Sequence, residues 1–327
     1  MTESPSQVTL RNFRPGDTAG IAAAWTAAAP GDGITETRFR NLILLDRNFD
    51  SAGLLVAEDA TGIVGASYAV RRLIAQEGDD LEPGKGWIPF FFVVPGARSQ
   101  GLGRRLVTAS LDWLAAQGVR DVVFSAYTPN YVVPGLDVER YPHAAGLLRS
   151  LGFATLERPS AMDRSLIGYQ IPADVRAQID ALVADGWEFR SPTPDELVPL
   201  IELAGKEFNP DWARAIREGV LSDLPLQRIV IARNPEGRII GWAQHGTYEA
   251  VIERFGPFGV LPTQRGLGLG RIILHLTMER MVALGAHSAW FLWADEGTPA
   301  SNLYLKTGFE ITRTWDILRA ELPDKEK

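Results

Sequence analysis

Arg98-Ser99-Gln100-Gly101-Leu102-Gly103 returns later in the chain, in the pattern Arg-x-x-Gly-x-Gly, as Arg265-Gly266-Leu267-Gly268-Leu269-Gly270. Each copy has a proline just upstream (Pro95, Pro262) and an arginine directly after it (Arg104, Arg271). Each lies between an apolar segment that reads as a strand, ending at Val94 or Val260, and a helical segment that stops at a glycine, Gly118 or Gly285. A strand, a glycine turn and a helix met twice mark a tandem of two like domains.

A helix N-terminus leaves backbone N–H groups unpaired and carries partial positive charge. Glycine removes the Cβ that would hold an anion away from those donors. With arginines around them, both turns suit a pyrophosphate. The same glycines could serve only a tight turn, but the matched repetition argues against that use. A dinucleotide-binding Gly-x-Gly-x-x-Gly needs a third glycine where this chain has Leu106, Arg271 or Ile273. No Gly-x-x-x-x-Gly-Lys-Ser/Thr loop occurs, which excludes a Walker-type NTPase.

Composition narrows the classes further. A chain of 327 residues suits two domains of about 150 residues each. Its 46% hydrophobic and 22% charged residues fit a globular protein, and its net charge of −7 argues against a nucleic-acid partner. Without cysteine there is no disulfide, no thiolate metal site and no cysteine nucleophile. His143, His245, His275 and His287 lack metal-ligand spacing, so no metal is expected. No apolar stretch approaches the roughly 20 residues of a membrane span. Met1 to Gln7 has no signal-peptide core, and a cytoplasmic location is expected.

The repeat sets the expected domains: 1–167, a helical connector at 168–185, a second domain at 186–322 and a tail at 323–327. Each half reads as a hairpin, a strand, the glycine turn with its helix, a further strand, a short helix and closing strands. The segment from Gly118 to Gly152 is longer than its counterpart from Gly285 to Gly308. The surplus falls in Tyr127 to Tyr141, which carries Pro129 and Pro134 and reads as a lid or interface loop.

Val93-Val94-Pro95 and Val260-Leu261-Pro262, each followed by Arg-x-x-Gly-x-Gly, resemble motif A of the GNAT acetyltransferase superfamily. Asn302-Leu303-Tyr304-Leu305-Lys306-Thr307-Gly308-Phe309 resembles its motif B. The first half keeps Gly152-Phe153 but has Leu148 in place of the tyrosine. The resemblance covers both halves. It implies an α/β (α+β) fold of two GNAT-like domains, each a mixed, splayed, mostly antiparallel sheet flanked by helices. It also implies acetyl-CoA as co-substrate, without metal. The pyrophosphate would lie on Arg98, Ser99, Gln100, Gly101, Leu102, Gly103 and Arg104. In the second half it would lie on Arg265, Gly266, Leu267, Gly268, Leu269, Gly270 and Arg271, near Asn302. The pantetheine would pair with strand edges at Phe92-Val93 and Gly259-Val260.

The implied chemistry is direct attack of an amine on the thioester. A lysine-like amine has a pKa near about 10.4 and must lose a proton before attack. The departing thiolate gains from a proton donor, and Tyr304 matches the family's donor. Glu253 is the acid best placed near the fourth strand of the second half, with Glu249, Asp295 and His245 as competitors. Leu148 cannot donate a proton. The sequence therefore points to an acyl-CoA-dependent N-acyltransferase acting on a small-molecule or protein amine, with catalysis in the C-terminal domain. Two alternatives stay open. One is a CoA-binding sensor or scaffold without transfer. The other is catalysis in the N-terminal domain, with the proline-containing insertion forming the acceptor site.

Overall fold

The structure is a computed structural model that describes residues 8–75, 78, 81–264 and 266–323. Its described residues fall into two compact units, one of residues 8–75, 81–158 and 315–323, the other chiefly of 159–314. Arg265 lies outside the described residues.

The chain opens with β1 (Thr9–Asn12), α1 (Asp17–Ala28), the single-turn α2 (Glu36–Phe39), β2 (Leu54–Asp59), β3 (Gly62–Val70) and β4 (Lys85–Val93). Next come α3 (Leu102–Ala116), β5 (Asp121–Phe124), α4 (Pro142–Ser150) and β6 (Ala154–Glu157). Then follow β7 (Ser160–Ser165), α5 (Ala173–Ala184), β8 (Glu188–Arg190), α6 (Leu197–Glu207), α7 (Pro210–Leu221), β9 (Ile229–Arg233), β10 (Ile239–His245) and β11 (Phe255–Val260). The chain closes with α8 (Leu269–Ala283), β12 (Ser288–Ala294), α9 (Pro299–Lys306), β13 (Glu310–Thr314) and β14 (Ile317–Glu321).

The first unit is built on one sheet in the order β1-β2-β3-β4-β5-β14-β6. Every neighbouring pair is antiparallel except β4 and β5. The apolar face of α3 packs Val107 and Leu114 onto Ile88, Val122 and Leu318, as its helical spacing requires. The parallel ladder between β4 and β5 runs only from Lys85↔Asp121 to Ile88↔Phe124. Beyond Ile88 the two strands part, and among the described residues no strand pairs with Phe90 to Val93 on that side. The second unit has a sheet in the order β11-β10-β9-β8 and another in the order β12-β7-β13. Just before β11, an isolated bridge pairs Arg254 with Trp290 of β12.

This division differs from the expected domains of 1–167 and 186–322. β7 pairs with β12 and β13 of the second unit, and β14 pairs with β5 and β6 of the first. Each strand goes where its apolar face is buried. Met162 joins the core around Phe255, Ile273 and Phe309. Leu318 and Ala320 join the core around Val107, Val122 and Leu148. The connector helix, expected at 168–185, is α5 and belongs to the second unit.

Candidate active site

The two glycine turns share one backbone conformation. Ser99 and its counterpart Gly266 have φ of 63° and 96°, and Gly101 and Gly268 have φ of 74° and 71°. Gly101 and Gly268 are the N-caps of α3 and α8. The left-handed backbone at these positions explains the glycines, since other residues adopt it only under strain. Gly103 and Gly270 serve packing. A Cβ on Gly103 would come 3.2 Å from Leu147, and one on Gly270 would come 3.4 Å from Leu303 and Phe258.

A cavity of about 1000 Å³ lies in the first unit. It runs from the turn at Arg98, Ser99 and Gly101 to Arg104, along Phe90 to Val93 of β4, and on to Ala28–Asp32 after α1. Its far wall is the insertion, through Val132, Val133, Leu136, Asp137 and Arg140, closed by Tyr141 and by Trp315 from the C-terminal segment. Trp25 forms the aromatic floor, with ring centroids 4.3 Å from Phe90 and 5.7 Å from Phe92. Its indole Nε1 donates to Asp32 O at 2.9 Å and so holds the loop that carries Asp32.

The two ends of the cavity carry opposite charge. Arg98 and Arg104 stand at the turn. Arg98 has a structural duty as well: it donates from Nε to Val93 O at 3.0 Å and from Nη2 to Ala28 O at 2.7 Å. It ties the turn to the end of α1. Arg104 donates to Ser150 Oγ at 2.7 Å. At the other end Tyr141 donates its hydroxyl to Asp32 Oδ2 at 2.5 Å. Arg140 lies 3.8 Å from both Asp32 and Asp137, whose side chains are only 11% exposed. An anion suits the first end, and a cation or a neutral amine suits the second.

The second unit surrounds its turn differently. Arg271 is paired with Asp174 of α5 at 2.8 Å, and Leu267 O accepts from Gln178 Nε2 at 2.9 Å. Gly259 abuts the Phe208 ring, Val260 packs on the core, and Asn302 is exposed. Tyr304 is buried among Phe255, Phe258, Phe291 and Phe309, with centroids 4.4–6.1 Å away. Burial holds its hydroxyl well above the usual phenol range, which weakens it as a proton donor. Its counterpart Leu148 is fully buried too. Glu253 is half-buried, its carbonyl accepts from Trp290 N at 3.0 Å, and no hydrogen bond links it to Tyr304 among the described residues. His245 donates from its Nδ1 to Ile252 O at 2.9 Å.

Comparison with known proteins identifies the chain. The sequence profile of the Acetyltransferase (GNAT) family matches residues 22–132 and again 192–309. The chain belongs to this family. It is an N-acetyltransferase of the GNAT type with two GNAT folds, and the family uses acetyl-CoA. The mycothiol acetyltransferase of Nocardia farcinica is 24% identical over 88% of this chain and 94% of its own length. That of Renibacterium salmoninarum is 27% identical, with the match spanning 46% of this chain and 41% of that protein. A GCN5-related N-acetyltransferase of Sphaerobacter thermophilus shares the fold, with TM-score 0.73, 17% identity and coverage of 99% and 98% of the two chains. Among the described residues no helix is long and apolar enough to cross a membrane, and no acidic, histidine or cysteine group could hold a metal ion.

Asp32 and Trp25 carry no signal in the sequence, Tyr141 is marked there only as the end of the insertion, and Trp315 only as one of the tryptophans near the last strands that could line an acceptor pocket. The insertion that leads into Tyr141 was visible as surplus length, whereas nothing in the sequence links Asp32 or Trp315 to it.

Proposed function

We propose that this protein transfers the acetyl group of acetyl-CoA to a primary amine in its N-terminal unit. The cavity that joins the open glycine turn to the Asp32–Tyr141 pair carries this reading. It favours the N-terminal site over the C-terminal one that motif B suggests. The residues fit acetyl-CoA, because a Cβ on Gly101 would meet nothing within 4 Å. Phosphate oxygens therefore have room at the amides opening α3. The backbone of β4 beyond Ile88 is available to the pantetheine and to the thioester carbonyl. Amides fixed there stabilise the oxyanion as it develops.

The amine arrives at the acidic end in its neutral form, its ammonium proton already released to solvent. Asp32 takes its proton as the nitrogen attacks the carbonyl carbon. The C–N bond forms and the C–S bond breaks. Protonated Asp32 then donates to the Tyr141 oxygen, which turns the Tyr141 proton toward the leaving sulfur. The amine proton ends on the thiol, and both side chains return to their starting state.

A second reading places transfer in the C-terminal unit, through Tyr304 as acid and Glu253 as base. The full motif B at Asn302 and Tyr304 favours it. Thiol release from acetyl-CoA across a panel of primary amines separates the two. The panel should include acceptors related to mycothiol, the word in the relatives' names. Gly101→Asp adds a carboxylate at the first turn, in a residue type that tolerates the left-handed backbone. It should remove most turnover, and Gly268→Asp should not. The reverse pattern would return catalysis to the second unit.

A further inference from the structure

The two turns match in backbone but not in what covers them. A Cβ on Gly101 would stand in open space, whereas one on Gly268 would stand 2.5 Å from Gln178 Nε2. Gln178 lies on α5 and donates to Leu267 O, within the turn itself. One turn earlier on α5, Asp174 Oδ2 accepts from Arg271 Nη1 at 2.8 Å. That bond holds the Asp174 carboxyl below the usual carboxylate range, so it is an anion at neutral pH. α5 is anchored beside these contacts. Val175 and Ile179 are buried against Ile272 of α8, and Arg176 pairs with Glu279. In the first unit the matching arginine, Arg104, meets the neutral hydroxyl of Ser150 instead.

We propose that α5 occupies the C-terminal turn in place of a ligand's phosphates, and that the chain consequently binds a single CoA, in its N-terminal unit. The Asp174 carboxylate neutralises the arginine that a phosphate would seek. The Gln178 amide fills the space that a glycine leaves for an approaching anion. CoA could enter this turn only by displacing both side chains. The role of α5 rests on its contacts with the turn and with α8, whereas the placement of the single CoA in the N-terminal unit rests on the function proposed above.

Calorimetric titration of the full chain with CoA tests it. Wild type should show one site, and Gly101→Asp should show none. Asp174→Ala combined with Gln178→Ala should add a second site to wild type and restore one to Gly101→Asp. Two sites in the wild type would overturn the proposal. So would a folded double variant that still binds only one CoA. If wild type bound none while the double variant gained a site, the N-terminal reading would fall and the role of α5 would stand. Asp174→Asn alone gives a second measure that perturbs the fold least. Amide exchange at 266–270 should speed up in that variant, and unchanged protection would count against the proposal.

Discussion

Tyr304 and Tyr141 show how a residue's surroundings decide its chemistry. Tyr304 stands where a family donor is expected, yet it is packed among phenylalanines, with its hydroxyl pushed up by burial. Tyr141 matches no motif, yet it hydrogen-bonds to a carboxylate on the wall of the cavity. If Tyr141 delivers the proton to sulfur, Tyr141→Phe should slow the chemical step by about 10²–10⁴-fold, with CoA affinity nearly unchanged. Single-turnover rates with the best amine of the panel read this directly, and a wild-type rate would remove Tyr141 from the mechanism. Asp32→Asn should slow the same step by a comparable factor. The motif residues were legible in the sequence because they follow a local pattern. Asp32 was not, because its partner is brought to it only by the fold. A separate residue sets a pH limit. His245 is wholly buried, and burial lowers its pKa to about 4. In the unfolded chain the value is near about 6.5. Between these values the unfolded chain binds more protons, so stability is full above about pH 6.5 and falls as pH drops toward 4. Each pKa unit is worth about 1.4 kcal/mol. Urea midpoints should therefore decline between about pH 6.5 and pH 5, less steeply in His245→Gln. An equal decline in both would mean that another group carries the effect.

At the scale of elements, the strand–turn–helix unit was readable in both halves because glycine, proline and apolar spacing are local signals. The partners of β7 and β14 were not readable. Both strands are short, and which sheet receives them depends on edges formed elsewhere in the chain. Asp316 fixes the return of β14. It is 2% exposed, accepts from Thr155 Oγ1 at 2.8 Å and from Arg158 Nε at 3.0 Å, and bridges to Leu136 through the backbone. Asp316→Ala leaves the Thr155 hydroxyl and Arg158 without this acceptor. A loss of roughly 1–3 kcal/mol is expected. The loss should appear as faster amide exchange in β5 and β6, far away in sequence. Faster exchange confined to residues flanking 316 would show that Asp316 serves only its own loop. The insertion belongs to this scale too. Its surplus length was visible beforehand, and its place as a wall of the cavity explains why the first half needs it.

For the whole molecule, the two strands mean that neither half of the sequence is a self-contained fold. The sheet of the first unit has β14 between β5 and β6, and the smaller sheet of the second has β7 between β12 and β13. A cut in the connector, between β7 and α5, therefore leaves the N-terminal fragment without β14, and the C-terminal fragment without β7. Each sheet would lose an internal strand, exposing the apolar faces that Leu318 and Met162 help to cover. Open edges of that kind invite aggregation. Fragments 1–168 and 169–327, expressed separately, should be insoluble or unfolded. Co-expressed, they should assemble into a complex that binds CoA, because every strand is again present. Circular dichroism of the separate fragments and co-purification of the pair would decide the matter. A lone N-terminal fragment that folds cooperatively and binds CoA as tightly as the intact chain would show that β14 is dispensable, and that the cavity wall at Trp315 is not needed to hold the ligand.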